Sequence, residues 1–510
     1  MAVPLVLIVG AGPTGMTAAI ELKRAGLDVR IVDKSSHMAL HSQAFGVQAR
    51  TLEQFQRYGI AAEAVDQGRK LIKAVFRSEG KQIVSVALDQ ISSRYPFILM
   101  LPQTQTEAIL NQRMEALGAK TERGVGLMSL TQQDGHVVAS LRHSDGKEEE
   151  LGPRWVIGCD GAHSSVREMA GIPFLGAGVG LSFFLGDLEI DGPDAPGDEL
   201  SVHLHGGDVV FLARLSSRIT RMIVAVHARQ GETLDRELTV ADFQEALDNA
   251  KVQVTVRSAE WMTPFHVNDR QARDYRAGSA FLAGDASHIH SPVGGQGMNT
   301  GIQDVANLAW KLAAVARGAA EGLLNSYEEE RGEVGKALLR FTERGLKMGT
   351  AVNPLVETVR DALMPVLTSL KPVQKAMLGF ISETAIEYRW SSIVADHGGD
   401  GHLKAGDRMP DLALMTRMGE STLLEDWTEA KHLAIVLEGT EAEIGEIRTG
   451  LPHARVLGIR AAYLDMQGRQ LLGKDKKLLI LRPDGYVGFR GSLAKTADWE
   501  AYGRQDGLID

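Results

Sequence analysis

Two glycine-rich turns carry the residues of this chain whose types and spacing suit chemistry. The first is Gly10-Ala11-Gly12-Pro13-Thr14-Gly15, between an apolar run and a helix-like segment. Glycines at these three positions permit a tight turn and bring bare backbone close to a pyrophosphate, which the positive end of the following helix stabilises. Asp33 closes the next apolar segment, where a carboxylate accepts hydrogen bonds from ribose hydroxyls. Pro13 and Thr14 inside the turn, and Lys34 beside the carboxylate, belong to the same candidate dinucleotide site.

The second turn runs from Gly284-Asp285 through Pro292, Gly294, Gly295 and Gly297 to a helix expected to begin near Asn299. Asp285 follows a short buried strand as an acceptor for polyol hydroxyls. The glycines then deliver backbone N–H groups onto a helix start, which stabilises negative charge. No lysine or serine is placed as in a P-loop. The arrangement suits the N1–C2=O edge of a reduced flavin better than a nucleotide phosphate, with Met298 and Asn299 continuing the edge-binding turn.

A third stretch, "GCDGAHSSVRE", sets Asp160-Gly161 at the end of a buried strand and Arg167 further along a helix. Alone it reads as an ordinary strand, turn and serine-capped helix; beside the two glycine-rich turns, Asp160 and Gly161 are expected among the cofactor-binding residues. The other glycine cluster, Gly176 to Gly180, lacks a third glycine at the right offset and precedes strand-like sequence. It is expected to be a flexible crossing between domains, which leaves no second dinucleotide fold.

These turns need a large frame, and 510 residues suffice for two or three domains. The N-terminus reads strand, turn, helix, strand, the start of a parallel sheet. Ile98 to Gly118 is expected to be helical, and the texture from about Leu181 to Ala259 is strand-like. Parallel-sheet texture returns at Ser279, with long helices to about Trp390. A Gly- and Asp-rich loop then leads to an α/β tail with strands in "HLAIVLEG", "ARVLGIR" and "KLLILRPDGYVGFRG".

Hydrophobic residues at 44% and charged residues at 24% are those of a globular protein. Lys+Arg of 55 against Asp+Glu of 65 gives a net charge of −10, which argues against general affinity for nucleic acid or anionic membrane. The single cysteine, Cys159, excludes an intramolecular disulfide and a cysteine-based zinc site. No apolar run is long enough to span a bilayer, so the chain is expected to be soluble and cytoplasmic. His288 and His290 flank the second turn; without further ligands they read as loop hydrogen-bonding residues, not a metal site. His203 and His205 alternate on a strand, with core or surface placement favoured over a substrate cavity. Phe183, Phe211 and Met222 are candidates for the cavity wall and more often simply core.

Taken together, "GAGPTG" with Asp33, "QARTLEQF", "LPQTQTE", "GCDGAHSSVR", "GDASHIHSPVGGQGMNTGIQDVANLAWKL" and "SYEEER" resemble the single-component FAD-dependent aromatic hydroxylases of the p-hydroxybenzoate and phenol hydroxylase type. The resemblance covers roughly residues 3 to 335, in the family's order. It implies non-covalent FAD, with ADP on the first turn and Asp33. Gln103 and the strand near Val125 would lie beside the adenosine. Asp285 would hold the ribityl chain and pyrophosphate, and Gly294 to Asn299 the ring edge. NAD(P)H would visit as a transient co-substrate. Reduced flavin and O2 would give a C4a-hydroperoxide that hydroxylates a phenol-like ring near the carbonyl of Pro292, with no side-chain base assigned. A flavin dehydrogenase or reductase on the same fold is the alternative.

Many members carry an arginine where this chain has Gln43, so Gln43 and Arg50 are weaker cofactor candidates. The tail resembles the thioredoxin-like domain of some hydroxylases, but one cysteine cannot form a redox pair. The expected fold class is α/β: a Rossmann-like FAD-binding domain (1–180 and 275–350), an inserted β-rich substrate domain (181–274 with about 70–97), a helical connection (351–398) and a thioredoxin-like C-terminal domain (399–510). The expected partners are an aromatic small molecule, O2 and NAD(P)H, without nucleic acid or membrane; a homodimer is compatible with the sequence.

Overall fold

The computed structural model describes residues 5–38, 44–133, 136–227, 236–291, 295–350, 353–416 and 419–509. It is a mixed α/β fold built on three principal sheets.

The first is a six-stranded sheet in the order Arg276–Ala277, Ala280–Leu282, Trp155–Gly158, Val6–Val9, Val29–Asp33 and Thr121–Arg123. All its pairings are parallel except the edge strand at Arg276. Val6–Val9 is apolar at every position because helices or further sheet cover both faces, as a parallel sheet requires. Helix Pro13–Arg24 starts with proline in its first turn, where the missing N–H has no helical partner to lose. It packs against helix Gly297–Ala316, which is buried along nearly its whole length.

The second sheet has eight strands, with His288–Ile289, Thr255–Ala272, Phe174–Asp191, Ile219–His227, Asp208–Arg214, Glu199–His205, Lys73–Ser78 and Lys81–Ala87 lying side by side. Its strands alternate. Phe183, Leu185 and Ile223 enter the cluster on one face, whereas Phe184, Leu188, Met222 and Val224 pack on the other with Phe243 and Leu247 of helix Val240–Asn249. The β-rich layer thus begins at Phe174 and runs to Ala272, wider than its sequence texture suggests.

Two sequence expectations are corrected. The segment expected to be helical from Ile98 starts as a strand, Ile98–Met100, and the helix spans Gln103–Ala116. Pro102 explains the break, because a residue before proline is kept from helical geometry. Gly176 lies not in a flexible crossing but within strand Phe174–Asp191, paired with Arg270. There φ is +135° and a Cβ would sit 2.0 Å from the Asp269 carbonyl oxygen, so glycine is needed for the close approach of two strands.

The C-terminal unit is a mixed five-stranded sheet in the order Ala395–Asp396, Val487–Gly491, Lys477–Leu481, Leu433–Leu437 and Arg455–Ile459. Its turn at Arg482–Tyr486 is driven into the first part of the chain. Arg482 pairs with Glu330, which also receives Lys311 Nζ at 2.8 Å, all fully buried. Among the described residues, no helix is long and apolar enough to cross a membrane.

Candidate functional site

Where the strand ends of the first sheet meet the second sheet lies a cavity of about 970 Å³. Gly12, Pro13, Thr14, Gln103, Gly161, Asp285, Gly297 and Met298 all line it, so residues from all three sequence motifs converge. The glycines divide by role. A Cβ on Gly10 would meet the Cys159 carbonyl oxygen at 2.3 Å, and one on Gly15 the Gly10 carbonyl oxygen at 1.9 Å. These two let chain pack on chain. Gly12 has no atom within 4 Å of its Cβ position although it lines the cavity. Bare backbone open to a cavity, at the first turn of a helix, fits the pyrophosphate of a dinucleotide.

Asp33 stands at the end of its strand and accepts from the backbone N–H of Ala11 at 2.7 Å and of Ser35 at 2.8 Å. It therefore fixes the turn as well as offering lone pairs. Gln103 Oε1 accepts from the Ala44 N–H at 3.2 Å, and its Nε2 donates to Glu107 at 2.9 Å. Asp285 is surrounded by protein yet keeps exposed surface because it faces the cavity; its dry setting pushes the carboxyl up. Gly284, with φ +61°, leaves room for Thr14 Oγ1 against it.

Several expected contacts take a different form. Asp160 accepts from the Ser164 hydroxyl at 2.5 Å and the Ser165 N–H at 2.6 Å, so its carboxylate caps a helix while Gly161 faces the cavity. Asn299 turns its amide to Gly46, Gly295 and Gln48, tying loops together instead of reaching the cavity. Arg50 is 2% exposed beneath the C-terminal unit, pairs with Glu53 at 2.9 Å and donates to the Asp484 carbonyl. It does not line the cavity, because it is committed to the interface. Lys34 is exposed on the surface, and Val125 is buried at the start of its strand. Gln43, Pro292 and Gly294 lie outside the described residues.

Behind Asp285 is a charged support that the sequence did not reveal. Asp304 receives Arg331 Nε at 2.7 Å, His288 Nε2 at 2.8 Å and the Gly284 N–H at 3.0 Å. Burial alone would raise the Asp304 carboxyl; Arg331 and His288 overcome that and hold it down at about 2. His290 bonds the Ser291 carbonyl through Nδ1 at 2.8 Å, and burial lowers its ring to about 4, so it is neutral at ordinary pH. Among the described residues, no cluster of three or more His, Cys, Asp or Glu is placed to hold a metal.

Toward the second sheet the walls turn apolar. Leu185, Thr263 and Phe265 line the large cavity, and a neighbouring space of about 40 Å³ lies among Phe45, Leu71, Ile98, Met100, Phe211 and Ile223. Phe45 faces both. Of the sequence candidates, Phe211 is in this wall, Phe183 packs just behind it, and Met222 belongs to the opposite face of the sheet. His203 is buried against the Ser201 hydroxyl at 2.9 Å, and His205 meets Glu79 on the surface. Arg270 also lines the large cavity, with no hydrogen-bond partner for its Nε. Its position was illegible in sequence because it rests on the register of a strand pair, Gly176 with Arg270.

Comparison with known proteins agrees with this geometry. The family model described as the FAD binding domain matches residues 5–342. The chain is 34% identical to 6-methylpretetramide 4-monooxygenase of Streptomyces rimosus, over 97% of this chain and 92% of that one. It is 32% identical to pentachlorophenol 4-monooxygenase of Sphingobium chlorophenolicum, over 96% and 94% respectively. Among solved structures, OxyS anhydrotetracycline hydroxylase of Streptomyces rimosus superposes with a TM-score of 0.83 at 29% identity, covering 99% of both chains.

Proposed function

The chain belongs to the single-component FAD-dependent aromatic hydroxylases, and from that premise we propose how its cavity divides the work. The protein is an FAD-dependent monooxygenase acting on an aromatic compound. The observation that carries the division of labour is the convergence of Gly12, Gly161, Asp285 and Gly297 on one cavity whose far wall is aromatic and aliphatic.

The first-turn amides around Gly12 hold the pyrophosphate, and Asp33 and Gln103 the adenosine half. Asp285 accepts from the polyol chain. The N–H groups of Gly297 and Met298, at a helix start, stabilise negative charge on the ring edge. Oxidation of NAD(P)H and delivery of one atom of O2 to the aromatic ring are the chemistry that bound FAD supplies. The chain's own contribution is to exclude water and hold the substrate ring against Phe45, Phe211 and Ile223, in a mostly apolar wall. A phenol-like compound fits: a flat ring for the wall and a hydroxyl group toward the polar end. The Arg270 guanidinium, facing the cavity, takes an anionic phosphate of a visiting NAD(P)H.

The proposed division ends the first part of the cofactor domain before strand Phe174–Asp191 and resumes it at about 275–350, with Phe174–Ala272 and about 70–97 as the substrate layer. The connection is 351–398, and 399–510 is thioredoxin-like in outline. Without a cysteine pair that last unit acts as a brace. A cytoplasmic location is part of the same proposal.

The test is NAD(P)H consumption by the purified, FAD-loaded protein against a panel of phenols and polycyclic phenols, with products weighed after turnover under ¹⁸O2. One ¹⁸O atom in the product is expected. Substrate-dependent consumption with an unlabelled product would make the protein a flavin dehydrogenase instead.

A further inference from the structure

Behind the first turn of helix Gly297–Ala316 is a second cavity, of about 570 Å³. Its walls come from helix Asn325–Gly349, helix Lys371–Ile381 and the chain that follows it. Val334, Leu338, Phe380, Ile386 and Trp390 make most of that surface apolar, and Phe380 stacks on Phe341 with ring centroids 3.6 Å apart. Into this setting projects Glu383, 3% exposed, in the left-handed region at φ 59°. A non-glycine residue held there is strained, and such strain is often tied to function.

The partners of Glu383 are neutral. Its Oε1 accepts from the Thr300 hydroxyl at 2.9 Å, and its Oε2 from the Gln303 amide. Arg331 is near, but its donors go to Asp304, to the Tyr388 hydroxyl at 2.8 Å and to the Thr300 carbonyl at 3.2 Å. Asp304 adds a like charge, and at the cavity lining Arg340 stands with the carboxylates of Glu333 and Glu387. Burial raises the Glu383 carboxyl to about 8. An ionised carboxylate with no cation in contact is costly inside a protein. A cation entering the cavity would relieve that cost, and aromatic faces beside it would add attraction.

We propose that this cavity binds an apolar molecule carrying a protonated amine, with the ammonium group against Glu383 and the carbon frame between Phe380 and Trp390. Both features of the site are needed: apolar walls alone would take any hydrophobe, and the carboxyl selects the cation. Among the described residues, this cavity and the larger one have only Gln296 in common, whose amide donates to the Phe380 carbonyl at 3.0 Å.

Isothermal titration of the FAD-loaded protein with 1-naphthylmethylamine, beside its neutral counterpart 1-naphthalenemethanol, tests this. The amine should bind at least about tenfold more tightly than the alcohol, a difference of about 1.4 kcal/mol. At pH 7 its binding should release a proton, seen as a heat that differs between phosphate and Tris buffers. Glu383→Gln should remove both the preference and the proton release while leaving the flavin spectrum and melting temperature in place. Phe380→Leu should weaken binding but keep the proton release. Equal binding of amine and alcohol, an unaltered preference in Glu383→Gln, or no binding heat at millimolar amine would overturn the proposal.

Discussion

Asn299 Nδ2 donates to the Gly46 carbonyl at 2.8 Å, joining the first turn of the long cavity-side helix to the short strand Gly46–Val47, 253 residues away in sequence. The same amide serves Gly295 at 2.8 Å and accepts from the Gln48 N–H at 2.9 Å. One side chain thus sets the distance between the proposed ring-edge turn and the wall at Phe45. Asn299→Ala removes a partner from three backbone groups at once, and orphaning buried polar groups costs about 1–3 kcal/mol. Urea unfolding should show a loss of that size, and FAD affinity should fall with it because the turn loosens. Unchanged stability would mean the bonds form equally well with water.

Gly12 and Gly15 should respond to valine in opposite ways. At Gly12, which lines the cavity, an added Cβ meets no atom within 4 Å beyond its chain neighbours. Gly12→Val should therefore fold and melt near the wild type but purify colourless, read as the ratio of flavin to protein absorbance. At Gly15 a Cβ already lies 1.9 Å from the Gly10 carbonyl oxygen, so Gly15→Val should fail to fold. Full flavin occupancy in folded Gly12→Val would remove the pyrophosphate assignment.

Much of this was legible in the sequence, and for physical reasons. Gly10, Gly12 and Gly15 are dictated locally by a strand, a turn and a helix start, so their spacing announces them. The same holds for Asp285 and Gly297. Arg50, a weak cofactor candidate in sequence, points away from the cavity because it is held by Asp484, far along the chain in a turn of the C-terminal unit. Asp304 and Arg331 look like ordinary helix residues until two helices bring them within 2.7 Å. The edges of the β-rich layer were missed where glycine, not a β-branched residue, carries the strand, as at Gly176. Local chemistry shows in sequence; partners supplied by tertiary packing do not.

The buried Asp304 should leave a mark on acid stability. Its folded-state carboxyl sits at about 2, below the ordinary 3.8, despite the opposing effect of burial. A depressed carboxylate contributes stability that is fully present above the unfolded value and is lost as pH falls through the folded one. The window is therefore about pH 4 down to about 2, and the loss from this group is about 2 kcal/mol. Urea midpoints collected across that range should fall in the wild type. Asp304→Asn should be less stable at pH 7 by about 3–5 kcal/mol, since Arg331 loses its partner, and its midpoints should decline less in that window. A wild-type curve that is flat below pH 4 would contradict the assignment.

Arg270 offers a guanidinium to the cavity. If it meets a phosphate of NAD(P)H, Arg270→Met should raise the KM for NAD(P)H by about tenfold, consistent with a charge-assisted bond of about 1.5–3 kcal/mol, while FAD content and product identity stay the same. Steady-state kinetics at saturating aromatic substrate would show it. Loss of FAD with no change in KM would assign the guanidinium to the resident cofactor.

The helix start at Gly297 permits a sharper test of the proposed ring-edge site. Gly297 is the first helical residue, preceded by Gln296 as the cap. Its N–H is among those a helix leaves without an internal partner. Gly297→Pro deletes that donor; because Gln296 before it is in the αR region, which a following proline disfavours, the variant's far-UV circular dichroism and melting temperature are compared with the wild type first. Its side chain has space, since the nearest atom to a Cβ is His290 Nε2 at 3.7 Å. The first turn around Gly12 is untouched, so FAD should still bind. What should change is the energy of the reduced, anionic form. Losing one donor where charge develops costs about 3 kcal/mol, which for a two-electron couple is a fall of about 60 mV in reduction potential. Dye equilibration under anaerobic conditions reads the potential, and stopped-flow absorbance the slowed reduction by NAD(P)H. A flavin-loaded variant with wild-type potential and reduction rate would place the ring edge somewhere other than this helix.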